Sequence, residues 1–261
     1  MSDYYPAKPR SKNLFDPSSK EPFKLSRSKI DLFMECPRCF YIDRRLGVGR
    51  PPGFPFNLNS AVDHLLKKEF DLYRANGTPH PLMNHYGIKA VPFAHEKMDE
   101  WRDALRRGVQ ALDKASNFLI TGGLDDIWIN EKGELIVVDY KATSKDSEIN
   151  LDADWQRGYK RQMEVYQWLL RENGFKVSST GYFVYCNGKR DREAFDAKLE
   201  FDISILPYTG ETKWIPPALL KVRECLSDDK VPKAGKNCDY CVYLENVDDV
   251  INRHEKIQGK K

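Results

Sequence analysis

The chain has 261 residues, 41% of them hydrophobic, 12% aromatic and 31% charged, with a formal net charge of +3. This balance excludes a disordered chain, which has too few apolar side chains to fold, and a membrane-embedded one, because no apolar run reaches bilayer length. The charge is too small to announce a nucleic-acid partner by itself, although its sign suits one where basic residues cluster.

Residues 1–24 are rich in Pro, Ser and Lys, show no apolar period and are expected to form a flexible arm. They lack the apolar centre of a secretory signal, which points to the cytoplasm. A helix is expected to open at Leu25-Ser26-Arg27-Ser28, capped by Ser26 or Ser28, with Ile30, Leu32, Phe33 and Phe40 on its buried side. Residues 47–55 read as a loop. A second helix is expected over 59–75, with Val62, Leu65, Leu66, Glu69 and Phe70 at helical spacing, ended by Asn76-Gly77. Residues 80–93 look irregular, and the pattern predicts a helix over 95–112. Two strands, 123–130 and 135–141, are joined at Glu131-Lys132-Gly133, a hairpin signal. A polar loop leads to a long helix over 155–172, closed by Asn173-Gly174. Strands at 179–186 and 198–205 and a helix at 216–225 complete the order. It predicts one α/β domain over 25–247, with a mixed central sheet flanked by helices, and a basic tail over 248–261.

The hairpin carries the chemistry. Asp125 follows a Gly turn, and the apolar strand after it ends in Asp139-Tyr140-Lys141. Residues two apart on a strand share a face, so Asp139 and Lys141 project together beside a run that should be buried. Burying that approach is costly unless the charges are paired or bind a metal. Two carboxylates on adjacent strands can hold a divalent ion, and the neighbouring Lys can polarise water or stabilise an oxyanion; phosphodiester hydrolysis needs that set. The bland alternative is a buried ion-pair network, which accounts poorly for two acids and a Lys together. Asp126 should point to the opposite face from Asp125. On the long helix Gln162 and Tyr166 are four apart and share a face. Taken alone, that helix reads better as an amphipathic surface helix with incidental polar residues than as part of a site.

In order along the chain stand Gly122-x-x-Asp125, Asp139-x-Lys141 and Gln162-x-x-x-Tyr166, preceded by LSRSKIDLFMECPRCFY. With these motifs the chain resembles the PD-(D/E)xK nuclease superfamily, and more narrowly the RecB and AddB nuclease domains and the CRISPR-associated adaptation nucleases. The resemblance implies a single restriction-endonuclease-like domain and a metal-dependent deoxyribonuclease. Its substrate would be single-stranded DNA or duplex ends, in DNA repair, recombination or CRISPR-type processing. A helicase or CRISPR-adaptation partner stays unidentified, and no membrane is involved. Asp125 and Asp139 would bind Mg²⁺ or Mn²⁺, with the Tyr140 carbonyl as a further ligand. Lys141 would act on the attacking water, and Gln162 and Tyr166 would steady the site. The family places a metal-binding His on the preceding helix; here the best register puts Asp63 at that position, with His64 about 100° around the helix. Asp is a good hard ligand for Mg²⁺. The rival reading is a catalytically silent DNA-binding or scaffold module on the same fold.

Cys36-Pro-Arg-Cys39 and Cys238-Asp-Tyr-Cys241 form two Cys-x-x-Cys pairs near opposite ends of the chain. Two such pairs make a four-thiolate site for zinc or an iron–sulfur cluster, and independent free thiols are the alternative. The related nucleases hold a [4Fe–4S] cluster with one N-terminal and three C-terminal cysteines. The resemblance therefore implies such a cluster, zinc remaining the alternative because this chain divides its cysteines two and two. Arg44, Arg45, Arg50, Lys160 and Arg161, near Trp155 and Tyr159, are residue types suited to phosphate contact and base stacking, or to an ordinary solvated face.

Overall fold

The computed structural model describes residues 8–53 and 55–258. In chain order the elements are β1 (Phe23–Ser26), α1 (Arg27–Glu35), α2 (Pro37–Arg44), α3 (Asn57–Asn76), α4 (Pro81–His85), β2 (Ala90–Pro92), α5 (Met98–Arg102), β3 (Val109–Asp113) and β4 (Phe118–Gly122). There follow β5 (Asp126–Asn130), β6 (Leu135–Thr143), a 3₁₀ turn (Asp154–Gln156), α6 (Arg157–Glu172), β7 (Thr180–Gly188), β8 (Phe201–Thr209), α7 (Ile215–Ser227) and α8 (Asp239–Gln258). The chain divides into two compact units. One comprises Met1–Gly53, Lys114–Phe118 and Pro217–Lys261; the other comprises Phe54–Asp113 and Leu119–Pro216. Among the described residues no helix is long and apolar enough to cross a membrane.

The second unit is built on a five-stranded mixed sheet in the order β2-β5-β6-β7-β8. β5 and β6 pair antiparallel, with Asp126 opposite Val138 and Ile129 opposite Leu135. β6 and β7 are parallel, with Asp139 opposite Phe183 and Lys141 opposite Tyr185, and α6 lies in the crossover that joins them. Alternation along β6 divides its side chains between the sheet's two faces. Val138 and Tyr140 join Leu66 and Phe70 of α3 and Trp128 of β5 in one apolar cluster. Asp139 and Lys141 project to the other face, toward α6. Trp128 and Phe70 are fully buried and stack at 5.5 Å; burying each such ring contributes about 1.5–3 kcal/mol.

The helix expected over 95–112 is absent. Only α5 is helical there, and the chain then turns at Gly108, with φ +73°, into β3 and on to β4. A Cβ at Gly108 would lie 2.6 Å from the Gly122 carbonyl oxygen, so the glycine admits a backbone approach that a helix could not make. The irregular stretch 80–93 contains α4 and β2, and the last expected strand begins later and runs on to Thr209.

In the first unit the expected opening helix breaks in two. Cys36 is extended (φ −153°, ψ 100°) because Pro37 disfavours the helical region before it, and Pro37 then starts α2. Of the expected N-terminal arm, residues 1–7 lie outside the described residues. The rest is fastened: Phe15 is 2% exposed and meets Phe23 and Phe118 edge-on at 5.5 and 6.2 Å. Arg10 reaches the buried Asp43 at 2.6 Å. α8 continues through the first part of the expected tail to Gln258, and residues 259–261 lie outside the described residues.

Candidate active site

The β5–β6 ladder stops at Asp126–Val138, and the site begins there. The next N–H of β6, that of Tyr140, has no strand partner on that side and donates instead to Asp125 Oδ2 at 3.0 Å. The carboxylate of Asp125 is thereby tied to the backbone of the strand that bears Asp139 and Lys141. From the other direction Arg102 Nε donates to the Asp125 carbonyl oxygen at 3.0 Å. Arg102 also holds Asp71 at 2.8 Å and Asp126 at 3.1 Å.

α3 presents a polar stripe at four-residue spacing, Asn59, Asp63, Lys67 and Asp71, beside its apolar one. Asn59 Nδ2 donates to the Ala142 carbonyl at 2.9 Å, docking the start of α3 on the end of β6. Asp63, Asp125, Tyr140 and Lys141 wall a cavity of about 270 Å³, with Asn59 and Tyr159 also at its edge. His64, one residue on, is exposed and does not line it. Burial and then the neighbouring Asp125 charge raise the pKa of Asp63 above the ordinary carboxylate value.

Asp139 is fully buried and is not among the residues lining that cavity. Gln162 Nε2 donates to its Oδ1 at 2.8 Å, and Lys141 Nζ stands 2.5 Å from its Oδ2. Gln162 Nε2 also reaches the Tyr166 hydroxyl at 3.2 Å. The pairing of Gln162 and Tyr166 along α6 thus has a concrete task, which is to orient one carboxylate. Gly122 makes the room: a Cβ there would lie 2.6 Å from the Tyr166 ring. Burial works against the Lys141 ammonium, but the Asp139 charge outweighs it and raises its pKa, so Lys141 is a cation at neutral pH. Its ammonium also lies 4.2 Å from the centre of the Tyr159 ring.

Three features escaped the sequence reading. Lys67 Nζ lies 2.8 Å from Asp63 Oδ2 and 3.0 Å from Asp125 Oδ1. Asp126, set aside as facing away from Asp125, is fully buried and gathers Arg74, Arg102 and the Tyr140 hydroxyl, the last at 2.8 Å. Third, the predicted ligands do not close on one point. Among the described residues the four cysteines are the one set of three or more Cys, His, Asp or Glu ligand atoms lying within 4.8 Å of one another, so Asp63, Asp125 and Asp139 stay wider apart than that. Each of the three is instead engaged by a lysine ammonium. The donor set still suits a hard divalent ion, since carboxylate oxygens and a backbone carbonyl are what Mg²⁺ and Mn²⁺ take.

The four cysteines converge in the first unit. Sγ–Sγ distances are 3.7 Å for Cys36–Cys241, 3.5 Å for Cys39–Cys238 and 3.6 Å for Cys39–Cys241. Each pair sits on the opening turn of a helix, α2 or α8, where exposed N–H groups favour a thiolate. Burial raises the Cys36 pKa, but N–H bonds from Gly235 at 3.2 Å and Cys39 at 3.4 Å outweigh it and bring it down to about 6. Cys186 and Cys225 lie outside this group, and burial pushes both thiols up to about 11.

A family model described as the PD-(D/E)XK nuclease superfamily matches residues 57–245. No curated protein matches the chain. Among solved structures nine chains match. One, titled "Crystal structure of SSO0001", is 17% identical and covers 87% of this chain and 86% of that chain, with a TM-score of 0.38.

Proposed function

Because the chain belongs to the PD-(D/E)XK nuclease superfamily, a group of phosphodiester-hydrolysing enzymes with a restriction-endonuclease-like fold, we propose that it is a Mg²⁺- or Mn²⁺-dependent deoxyribonuclease of the RecB- and AddB-like kind. The observation that carries this reading is the meeting of Asp63, Asp125 and Lys141 at one cavity, with Asp139 clamped between Lys141 and Gln162.

Asp63, Asp125 and Asp139, with the Tyr140 carbonyl, would hold the metal, which when bound supplies a Lewis acid and a water of lowered pKa. The protein's own groups do the rest. Gln162 fixes Asp139 by donating to Oδ1, which leaves Oδ2 turned to Lys141. As an ammonium, Lys141 donates hydrogen bonds and positive charge to the attacking water and to the phosphate oxygens as negative charge develops on them; it does not serve as a base. DNA is the proposed substrate. Phe56 lines the cavity and is 73% exposed, and Trp155, 66% exposed, meets the cavity residue Tyr159 edge-on at 5.4 Å. Two exposed rings, one lining the cavity and one against its Tyr159, suit stacking on unpaired bases, hence single strands or frayed duplex ends.

For the four-cysteine site we propose a structural zinc ion. Thiolates about 2.3 Å from one zinc stand roughly 3.8 Å apart at tetrahedral angles, close to the 3.5–3.7 Å of three of the pairs, and all four sulfurs lie within 4.8 Å of one another. The outer thiolates of a [4Fe–4S] cube stand roughly 6 Å apart, so that cluster requires these side chains to spread. A colourless protein with stoichiometric zinc supports the single ion; a brown anaerobic preparation absorbing near ~400 nm supports the cluster.

The test of the enzymatic reading is Asp139→Ala on labelled single- and double-stranded DNA with Mg²⁺, Mn²⁺ or EDTA. Cleavage should need the metal and fall by several powers of ten in the folded variant. The wide spacing of the three carboxylates favours a second reading, a catalytically silent DNA-binding module. Binding without cleavage by the wild type would establish it.

A further inference from the structure

The proposed reaction leaves Lys67 without a task. Its ammonium bridges Asp63 Oδ2 at 2.8 Å and Asp125 Oδ1 at 3.0 Å, on two carboxylates proposed to hold the metal, and its side chain is only 19% exposed. The bridge spans α3 and the Gly-turn before β5, positions 58 residues apart, so it is a tertiary contact rather than a helix-surface pair alone. Such a bridge satisfies two acids that otherwise face each other across a half-buried cavity. A divalent ion held by these two carboxylates would compete for the same small volume with an ammonium that stands within 3.0 Å of both, and the two positive charges repel. Both cannot stay.

We propose that Lys67 is a built-in counter-cation of the Asp63–Asp125 pair, which holds the two carboxylates in place and must give way before a divalent metal binds; the proposal rests on the metal-dependent reading of this site. The side chain suits that exchange. Lys is a compact point charge on a flexible four-carbon stem, so it can leave the carboxylates by rotamer change while its backbone stays in α3. Once released it stays near the cavity, where a substrate phosphate is its natural partner. All three carboxylates are thereby charge-compensated as they stand: Lys67 takes up two of them and Lys141 the third.

The experiment is calorimetric titration of the full-length protein with Mn²⁺ alone, for the wild type, Lys67→Met, Lys67→Gln, Lys67→Arg and Asp125→Asn. Removing the competing charge should tighten Mn²⁺ binding about tenfold or more in Lys67→Met and Lys67→Gln. Lys67→Arg, which keeps the charge, should not gain. Lys67→Gln retains a hydrogen-bond donor to the carboxylates and keeps the test open if Lys67→Met fails to fold. Equal or weaker Mn²⁺ binding in the folded neutral variants overturns the counter-cation role while leaving the metal site standing, provided that Asp125→Asn abolishes binding. If neither wild type nor the neutral variants bind Mn²⁺, the metal-dependent reading fails and the proposal with it.

Discussion

Replacing Asp126 by Ala probes the scaffold behind the site. The carboxylate is fully buried and accepts from the Arg74 guanidinium, from Arg102 Nη2 at 3.1 Å, from the Tyr140 hydroxyl at 2.8 Å and from the Ile127 N–H at 2.9 Å. The two arginine side chains are 10% and 12% exposed, so water cannot readily replace their lost partner. Breaking a buried pair by removing one member costs about 3–5 kcal/mol, because an uncompensated charge stays behind. Asp71 still pairs with both arginines, at 2.9 and 2.8 Å, which moves the estimate toward the lower end. The stranded Tyr140 hydroxyl adds about 1–3 kcal/mol. A loss of about 4 kcal/mol results, or a fall in melting temperature of roughly 10 °C for a domain of this size. Urea unfolding followed by tryptophan fluorescence measures it, Trp128 lying on the same strand in the same core. A loss below about 1 kcal/mol would refute the view that Asp126 anchors the hairpin.

Gly122→Ala drives a methyl to 2.6 Å from the Tyr166 ring. It should cost about 1–3 kcal/mol by overpacking and also slow cleavage, since Tyr166 touches Gln162; unchanged melting and rate together would dismiss that contact. Asp43 tests acid stability. Burial raises its pKa, but Arg44, Lys29 and Arg10 outweigh burial and hold it at about 2 against an ordinary 3.8. The folded value lies below the unfolded one, so the stabilisation is present above about pH 4, is lost as pH falls toward 2, and amounts to about 2 kcal/mol. Equilibrium unfolding across that window should show an acid-dependent loss smaller by about 2 kcal/mol in Asp43→Asn than in the wild type. Cys241→Ser should lower bound metal below stoichiometric and destabilise its unit by several kcal/mol, because metal binding to such a shell is folding free energy; identical melting with no metal in either protein would argue for plain thiols.

Local pattern was enough for much of this protein. The hairpin expected from strands 123–130 and 135–141 around Glu131-Lys132-Gly133 is realised as β5 and β6, the first starting three residues later, and the period over 59–75 and 155–172 as α3 and α6, since each depends on neighbours two to four residues away. Asp139 and Lys141 share a face for the same reason, and Gln162 with Tyr166 likewise. Cys-x-x-Cys pairs are equally local, and their number already suggested a shared site.

Tertiary structure alone decided what depends on distant partners. The stretch 95–112 reads as one helix in the sequence, but Gly108 has to sit against Gly122, and that contact turns the chain after α5 into strands. Asp126 looked like a spare acid until Arg74 and Arg102 were placed beside it. Lys67 is an ordinary helix residue in the sequence, and only the approach of Asp125 makes it a bridging cation. The physical reason is range: secondary structure answers to sterics and hydrogen bonds within a few residues, whereas a buried charge is stable only where the fold brings its counter-charge.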